Sequence, residues 1–111
     1  MNSEKSKQVG AIGETIAVRF LHERGLRIVE RNVFVDRDEI DIIYERDGEF
    51  VAVEVKTSSN DDDPLEAFDD VKMHRVRRAA AGWRVPIVEI DAIAVTLRRN
   101  GVEIRWLRGI A

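Results

Sequence analysis

The dipeptide Asp47-Gly48, flanked on both sides by alternating residues, constrains this 111-residue chain more than any other feature. An Asp-Gly pair in a two-residue turn takes positive φ at both central positions and closes two antiparallel strands tightly. Strands over residues 39–45 and 49–57 follow. With Asp47 and Gly48 as the turn, Tyr44 faces Val51, Ile43 faces Ala52, Ile42 faces Val53, Asp41 faces Glu54, Ile40 faces Val55 and Glu39 faces Lys56. Under this register Ile40, Ile42, Tyr44, Val51, Val53 and Val55 form a wholly apolar face, and the charges fall on the other. A slip of one residue would mix the two faces, so the register is strongly specified.

The remaining elements are read by periodicity. Residues 3–24 space Val9, Ile12, Ile16 and Phe20 as an amphipathic helix, which Gly25 stops. Gly10, Gly13 and Ala17 form a stripe of small residues beside the apolar one, suited to a close backbone approach. Residues 26–34 are rich in β-branched and aromatic side chains and read as a strand. After the acidic loop 60–63, Pro64 opens a second helix expected to run to Trp83, with Asp62 and Asp63 at its positive end. Its buried stripe is Leu65, Phe68, Val76, Ala79 and Trp83, and Lys72 falls near the middle of that stripe. Residues 85–97 contain a strand, 98–101 a turn ending in Asn-Gly, and 102–107 a last strand. The order is αβββαββ, an α/β class, in a single domain over residues 1–111.

Composition removes several chemistries. The chain has no cysteine, which excludes thiolate zinc sites, iron-sulfur clusters and thiol nucleophiles, and its two histidines, His22 and His74, stand far apart. Any metal must be held mainly by oxygen. No apolar stretch approaches the roughly 20 residues of a membrane span, and the first eight residues have no apolar signal core. The expectation is a cytoplasmic protein with no membrane partner. The net charge of -3 hides a strong asymmetry: residues 1–71 carry 9 basic against 18 acidic side chains, and residues 72–111 carry 9 against 3. Such polarity suits a protein that gathers carboxylates at one place and offers cations to a polyanion at another. Evenly solvated faces are the plainer alternative.

Asp41, Glu54 and Lys56 meet on one face of the hairpin under this register. Magnesium prefers hard oxygen ligands and is usually held by one or two carboxylates plus substrate phosphate. A neighbouring lysine neutralises charge developing on a phosphodiester. The same three residues also make an ordinary cross-strand salt bridge, and both readings stand at this level. On the second helix Lys72, Arg75 and Arg78 could track phosphates, whereas Trp83 falls on the buried stripe and His74 on the water side. No Gly-rich phosphate loop or Ser, His, Asp arrangement appears.

The run Gly10-Ala-Ile-Gly13-Glu14-Thr-Ile-Ala17, then Arg31-Asn32, Glu39-Ile-Asp41-Ile-Ile43 and Val53-Glu54-Val-Lys56-Thr57, with Lys72 and Asp91, resembles the bacterial YraN-like family over residues 9–107. That family is similar to archaeal Holliday junction resolvases and to the restriction-endonuclease-like, PD-(D/E)xK nucleases. The resemblance implies a restriction-endonuclease-like mixed β-sheet flanked by helices. It implies Asp41 and Glu54 as metal ligands, Lys56 as the catalytic lysine, and Glu14 as a helix glutamate approaching the metal directly or through water. The implied activity is Mg²⁺- or Mn²⁺-dependent hydrolysis of phosphodiesters in DNA or RNA, of branched or single-stranded form, by a chain that can pair as a homodimer. The alternative is a non-catalytic nucleic-acid-binding or assembly module on the same scaffold. Three positions depart from the family's usual residues: Asp38 where glycine is common, and Ser58 and Glu89 where arginine is common.

Overall fold

The computed structural model describes residues 3–60 and 62–111; Met1, Asn2 and Asp61 of the acidic loop lie outside the described residues. Helix α1 (Ser3–Glu23) leads into strands β1 (Arg27–Val35), β2 (Asp38–Arg46) and β3 (Glu49–Ser58). A short 3-10 turn (Pro64–Ala67) precedes helix α2 (Asp70–Gly82), and strands β4 (Ile87–Arg98) and β5 (Gly101–Leu107) complete the chain. The five strands lie side by side in chain order. All pairs are antiparallel except β3 with β4, which is parallel, so the sheet is mixed and α2 serves as the crossover a parallel pair requires.

The hairpin has the register its two faces demand. Asp47 and Gly48 both have positive φ, 52° and 83°, as a type I′ turn needs, and Ile42 pairs with Val53, Ile43 with Ala52 and Tyr44 with Val51. The ladder stops there. Beyond Ile42 the strands part, and the backbone N–H of Val55 donates instead to the Asp41 carboxylate at 2.8 Å. The expected pairs of Asp41 with Glu54, Ile40 with Val55 and Glu39 with Lys56 are therefore not made.

A change of face accompanies this parting. Ile42, Tyr44, Val51, Val53 and Val55 pack with Ala17 and Leu21 of α1, but Ile40 packs with Ile43, Ala52, Val76 and Ala79 on the α2 side. Two residues apart on one strand, Ile40 and Ile42 should share a face. The β1–β2 ladder supplies the cause: Arg31 pairs with Ile42 and Val33 with Ile40, leaving Asn32 across from Asp41. Asn32 has φ 52°, a left-handed conformation that asparagine tolerates better than most residues. The pleat reverses at that pair, and the expectation of one apolar face from Ile40 to Val55 is corrected accordingly.

Helix α2 also differs from expectation. Instead of one helix from Pro64, the chain makes a 3-10 turn capped by Asp63, whose carboxylate accepts from the Leu65 N–H, and then restarts. Asp69, in extended conformation, caps α2 by accepting from the Lys72 N–H at 2.9 Å. Each aspartate satisfies donors that a helix start leaves open, so two caps six residues apart give two starts. The stripe survives from Phe68 onward: Val76 and Ala79 are buried, and Phe68 and Trp83 pack against the same cluster, with Trp83 edge-on to Phe50, whereas Leu65, in the 3-10 turn, belongs to neither core cluster. Among the described residues no helix is long and apolar enough to cross a membrane.

Candidate functional site

The end of the sheet that carries the last residues of β1 and β3 and the first of β2 gathers the acidic side chains. Close approach of α1 places the first of them. A Cβ at Gly13 would lie 1.8 Å from Oγ1 of Thr57 on β3, so only glycine lets the helix seat there. The next residue, Glu14, is then held over the reversal in β1–β2, where the Asn32 amide donates to its Oε1 at 2.9 Å.

Carboxylate oxygens of Glu14, Glu39 and Asp41 lie within 4.8 Å of one another. Asp41 is buried, at 7% exposure, and Glu14 and Glu39 are partly so. Burial, and then the neighbouring Glu54 carboxylate, push Asp41 up to about 9; burial and Glu39 also raise Glu14. Crowded acids in a low dielectric hold protons they would lose in water. The Asp41 carboxyl would release that proton on coordinating a divalent cation.

Glu54 is 2% exposed. Its Oε1 receives two cations, Lys72 Nζ from α2 at 3.0 Å and Lys56 Nζ at 3.4 Å. Its Oε2 is buried without a hydrogen-bond partner, a costly arrangement for a carboxylate oxygen unless something else occupies it. Burial pulls the Lys72 ammonium down, but the Glu54 carboxylate outweighs it and leaves the group above the ordinary lysine value. The donor set fits a hard cation: it consists of oxygens, with those of Glu14, Glu39 and Asp41 close together. Glu54, an expected ligand, is not one of the three, but its carboxylate is near enough to raise Asp41 and Glu14 and keeps an orphaned oxygen.

Of the residues singled out in the sequence, Glu14, Asp41, Glu54, Lys56 and Lys72 converge here. Arg75 and Arg78 do not; they line a neighbouring cleft of about 920 Å³ with Arg37, Asp38, Glu39 and Lys72. The Arg78 fork is taken up by Asp38, with Nε to Oδ2 at 2.7 Å and Nη2 to Oδ1 at 2.9 Å, and this hydrogen-bonded pair holds Asp38 below the usual carboxylate range. Asp91 lies away from the cluster, fully buried, and accepts from Tyr44 Oη at 2.6 Å, Trp106 Nε1 at 3.0 Å and the Gly109 N–H at 2.9 Å. Sequence reasoning missed Glu39 and the role of Asn32. Alternation places Glu39 on the side of Asp41, but the uninterrupted ladder assigned it to Lys56.

Residues 13–106 match the model of the Uncharacterised protein family UPF0102. The chain belongs to the UPF0102 family. Similar UPF0102 proteins include one from Beutenbergia cavernae, 41% identical over 92% of this chain and 94% of its own length. Another from Nocardioides sp. is 38% identical over 92% and 90%, and one from Dictyoglomus thermophilum 31% identical over 91% and 92%. UPF0102 proteins have a PD-(D/E)xK-like restriction-endonuclease fold related to Holliday junction resolvase homologues. In this UPF0102 chain the Glu14, Glu39 and Asp41 cluster is of the kind that holds a divalent metal in such nucleases. The three departures from the YraN-like pattern are each tied locally: Asp38 by Arg78, Ser58 by Asn60, and Glu89 by Arg46 and Arg108.

Proposed function

We propose that this UPF0102 chain is a divalent-cation-dependent phosphodiesterase of nucleic acids. The observation that carries the reading is the cluster of Glu14, Glu39 and Asp41 oxygens, with the buried Glu54 carboxylate, its Oε2 orphaned, near enough to act on Asp41 and Glu14. In the proposal Asp41, Glu54 and Glu14 hold Mg²⁺ or Mn²⁺, which when bound polarises the phosphodiester and lowers the pKa of a coordinated water. Lys56 and Lys72, both already at Glu54 Oε1, neutralise charge that builds on the phosphoryl oxygens. Val55 N–H fixes the Asp41 rotamer, and Asn32 fixes Glu14, so that ligands need not reorganise on binding.

One observation favours the second reading, a nucleic-acid-binding or assembly module without turnover. Arg78 is neutralised by Asp38 rather than offered to phosphate, which lowers the cationic strength of the cleft. A panel of single-stranded, duplex, flap and four-way-junction substrates, DNA and RNA, with Mg²⁺ or Mn²⁺ separates the two. Cleavage lost in Lys56→Ala and Asp41→Asn supports the enzyme. Cleavage retained by both variants marks a contaminant, and tight binding without cleavage supports the module.

A further inference from the structure

Phe34 is 67% exposed, the most exposed of the described large apolar side chains. Its position is specific. Phe34 is the cross-strand partner of Glu39, whose carboxylate belongs to the acidic cluster. Cross-strand partners stand on the same side of a sheet with Cβ atoms about 5 Å apart. Val33 and Val35, on either side of Phe34, pack into the α2-side core, so the ring projects from the opposite side, the one from which α1 delivers Glu14. One exposed cation shares this side: Arg31 is close enough to Glu14 to act on its carboxylate and reaches Thr15 on α1. Lys56 and Lys72, half-buried, meet at Glu54 from the α2 side.

A solvent-exposed aromatic on the same side as an exposed arginine, beside an acidic cluster whose other face carries two lysines, has the ingredients of a single-strand site, where phosphates meet the cations and bases stack on the ring. We infer that Phe34 is a stacking platform for an unpaired nucleobase next to the phosphodiester held at the carboxylates, and that it sets a preference for single-stranded or unpaired nucleotides over continuous duplex. The inference rests on the nucleic-acid reading given above and adds the residue that selects the substrate form. In a continuous duplex each base is already stacked between neighbours and offers no free face to a ring at the sheet edge. At a loop, flap or branch the face is free. Nothing in the fold needs the ring: it lies outside both core clusters.

The test is equilibrium binding with Ca²⁺ replacing Mg²⁺, using a single-stranded oligonucleotide containing 2-aminopurine and a blunt duplex of the same length. Phe34→Ala should weaken single-strand binding by about 5- to 150-fold, the loss expected for one base–aromatic stack, while duplex binding stays as in the wild type. The 2-aminopurine quenching seen with wild type should disappear in Phe34→Ala and Phe34→Leu and return in Phe34→Trp, a readout that apolar burial alone does not produce. Circular dichroism melts verify that all three variants are folded. Equal binding by wild type and Phe34→Ala, or equal losses on single strand and duplex, overturns the stacking role and leaves the phosphodiesterase reading intact. Failure of wild type to bind any oligonucleotide overturns both.

Discussion

Replacement of Gly13 by alanine should test how α1 is seated, and Gly10 provides an internal control on the same helix. Both substitutions remove a helix-interior glycine and should gain about 1 kcal/mol of helix propensity. At Gly10 the new methyl meets nothing within 4 Å, so Gly10→Ala should stabilise by that amount. At Gly13 it would lie 1.8 Å from Thr57 Oγ1, 2.7 Å from its Cβ and 2.8 Å from its Cγ2. Rotation of the threonine moves the outer atoms but not the Cβ, so α1 must lift away from β3. Overpacking of this kind costs about 1–3 kcal/mol. Propensity cancels between the two variants, and the gap in stability should itself be about 1–3 kcal/mol. Urea unfolding followed by circular dichroism measures it, provided the m-values agree. Gly13→Ala combined with Thr57→Gly should close the gap, whereas Thr57→Ala should close it only partly because its Cβ remains. Lifting α1 also carries Glu14 away from Asn32, so Mn²⁺ affinity should fall in Gly13→Ala and not in Gly10→Ala. Equal stabilities of the two single variants would refute the close-approach reasoning.

Asp41→Asn removes the most strongly perturbed carboxylate of the site, so its melting temperature without metal should equal or exceed that of wild type while metal-dependent cleavage is lost. In differential scanning fluorimetry the wild type should gain about 2.7 kcal/mol when free Mn²⁺ is about 100 times its Kd, and Asp41→Asn should show no such gain. Arg78→Ala strands the buried Asp38 carboxylate and should lower the melting temperature, whereas Arg75→Ala should leave it unchanged and flatten the salt dependence of nucleic-acid binding by about 0.9 log unit for each phosphate it no longer neutralises. Glu89 is held down to about 2 by its hydrogen bond with Asp91 and then by Arg46 and Arg108. A depressed carboxylate stabilises above its unfolded pKa of about 4.5 and loses that contribution as pH falls toward 2, so the stability difference between wild type and Glu89→Gln should shrink across that window in pH-dependent urea titrations.

The two-faced hairpin was legible because its register has one solution: any slip exposes Ile42 or Val53 and buries a charge. That register brings Asp41, Glu54 and Lys56 to the same end of the hairpin, although the ladder ends at Ile42 and Val53 before pairing them, and helical phase puts Lys72 near the middle of the buried stripe. Local alternation does not reveal the pleat reversal at Asn32 and Asp41, since it depends on one backbone residue in β1 adopting positive φ. That single conformation moves Ile40 to the other core and brings Glu39 to Glu14. The restart at Asp69 could have been read, because an aspartate three positions before Lys72 is a cap signal; the apolar stripe running across it concealed the break. The pairing of Arg78 with Asp38 joins residues 40 positions apart, and only the packing of α2 across β2 creates it.

The strand order in the sheet repeats the order in the chain, which bears on how the molecule assembles during synthesis. Each new strand docks on the free edge left by its predecessor, and none has to be threaded between strands already in place. β1, β2 and β3 pair locally, whereas the parallel closure of β4 on β3 must wait for the intervening helix and bear the entropy of a long loop. The acidic half of the chain emerges first and sets Glu14, Asp41 and Glu54 side by side with Lys56 already among them. Lys72 arrives later on α2 and reaches Glu54 from the other layer. Docking of the basic half thus relieves a repulsion built into the half that precedes it, which couples completion of the fold to neutralisation of its most crowded charges.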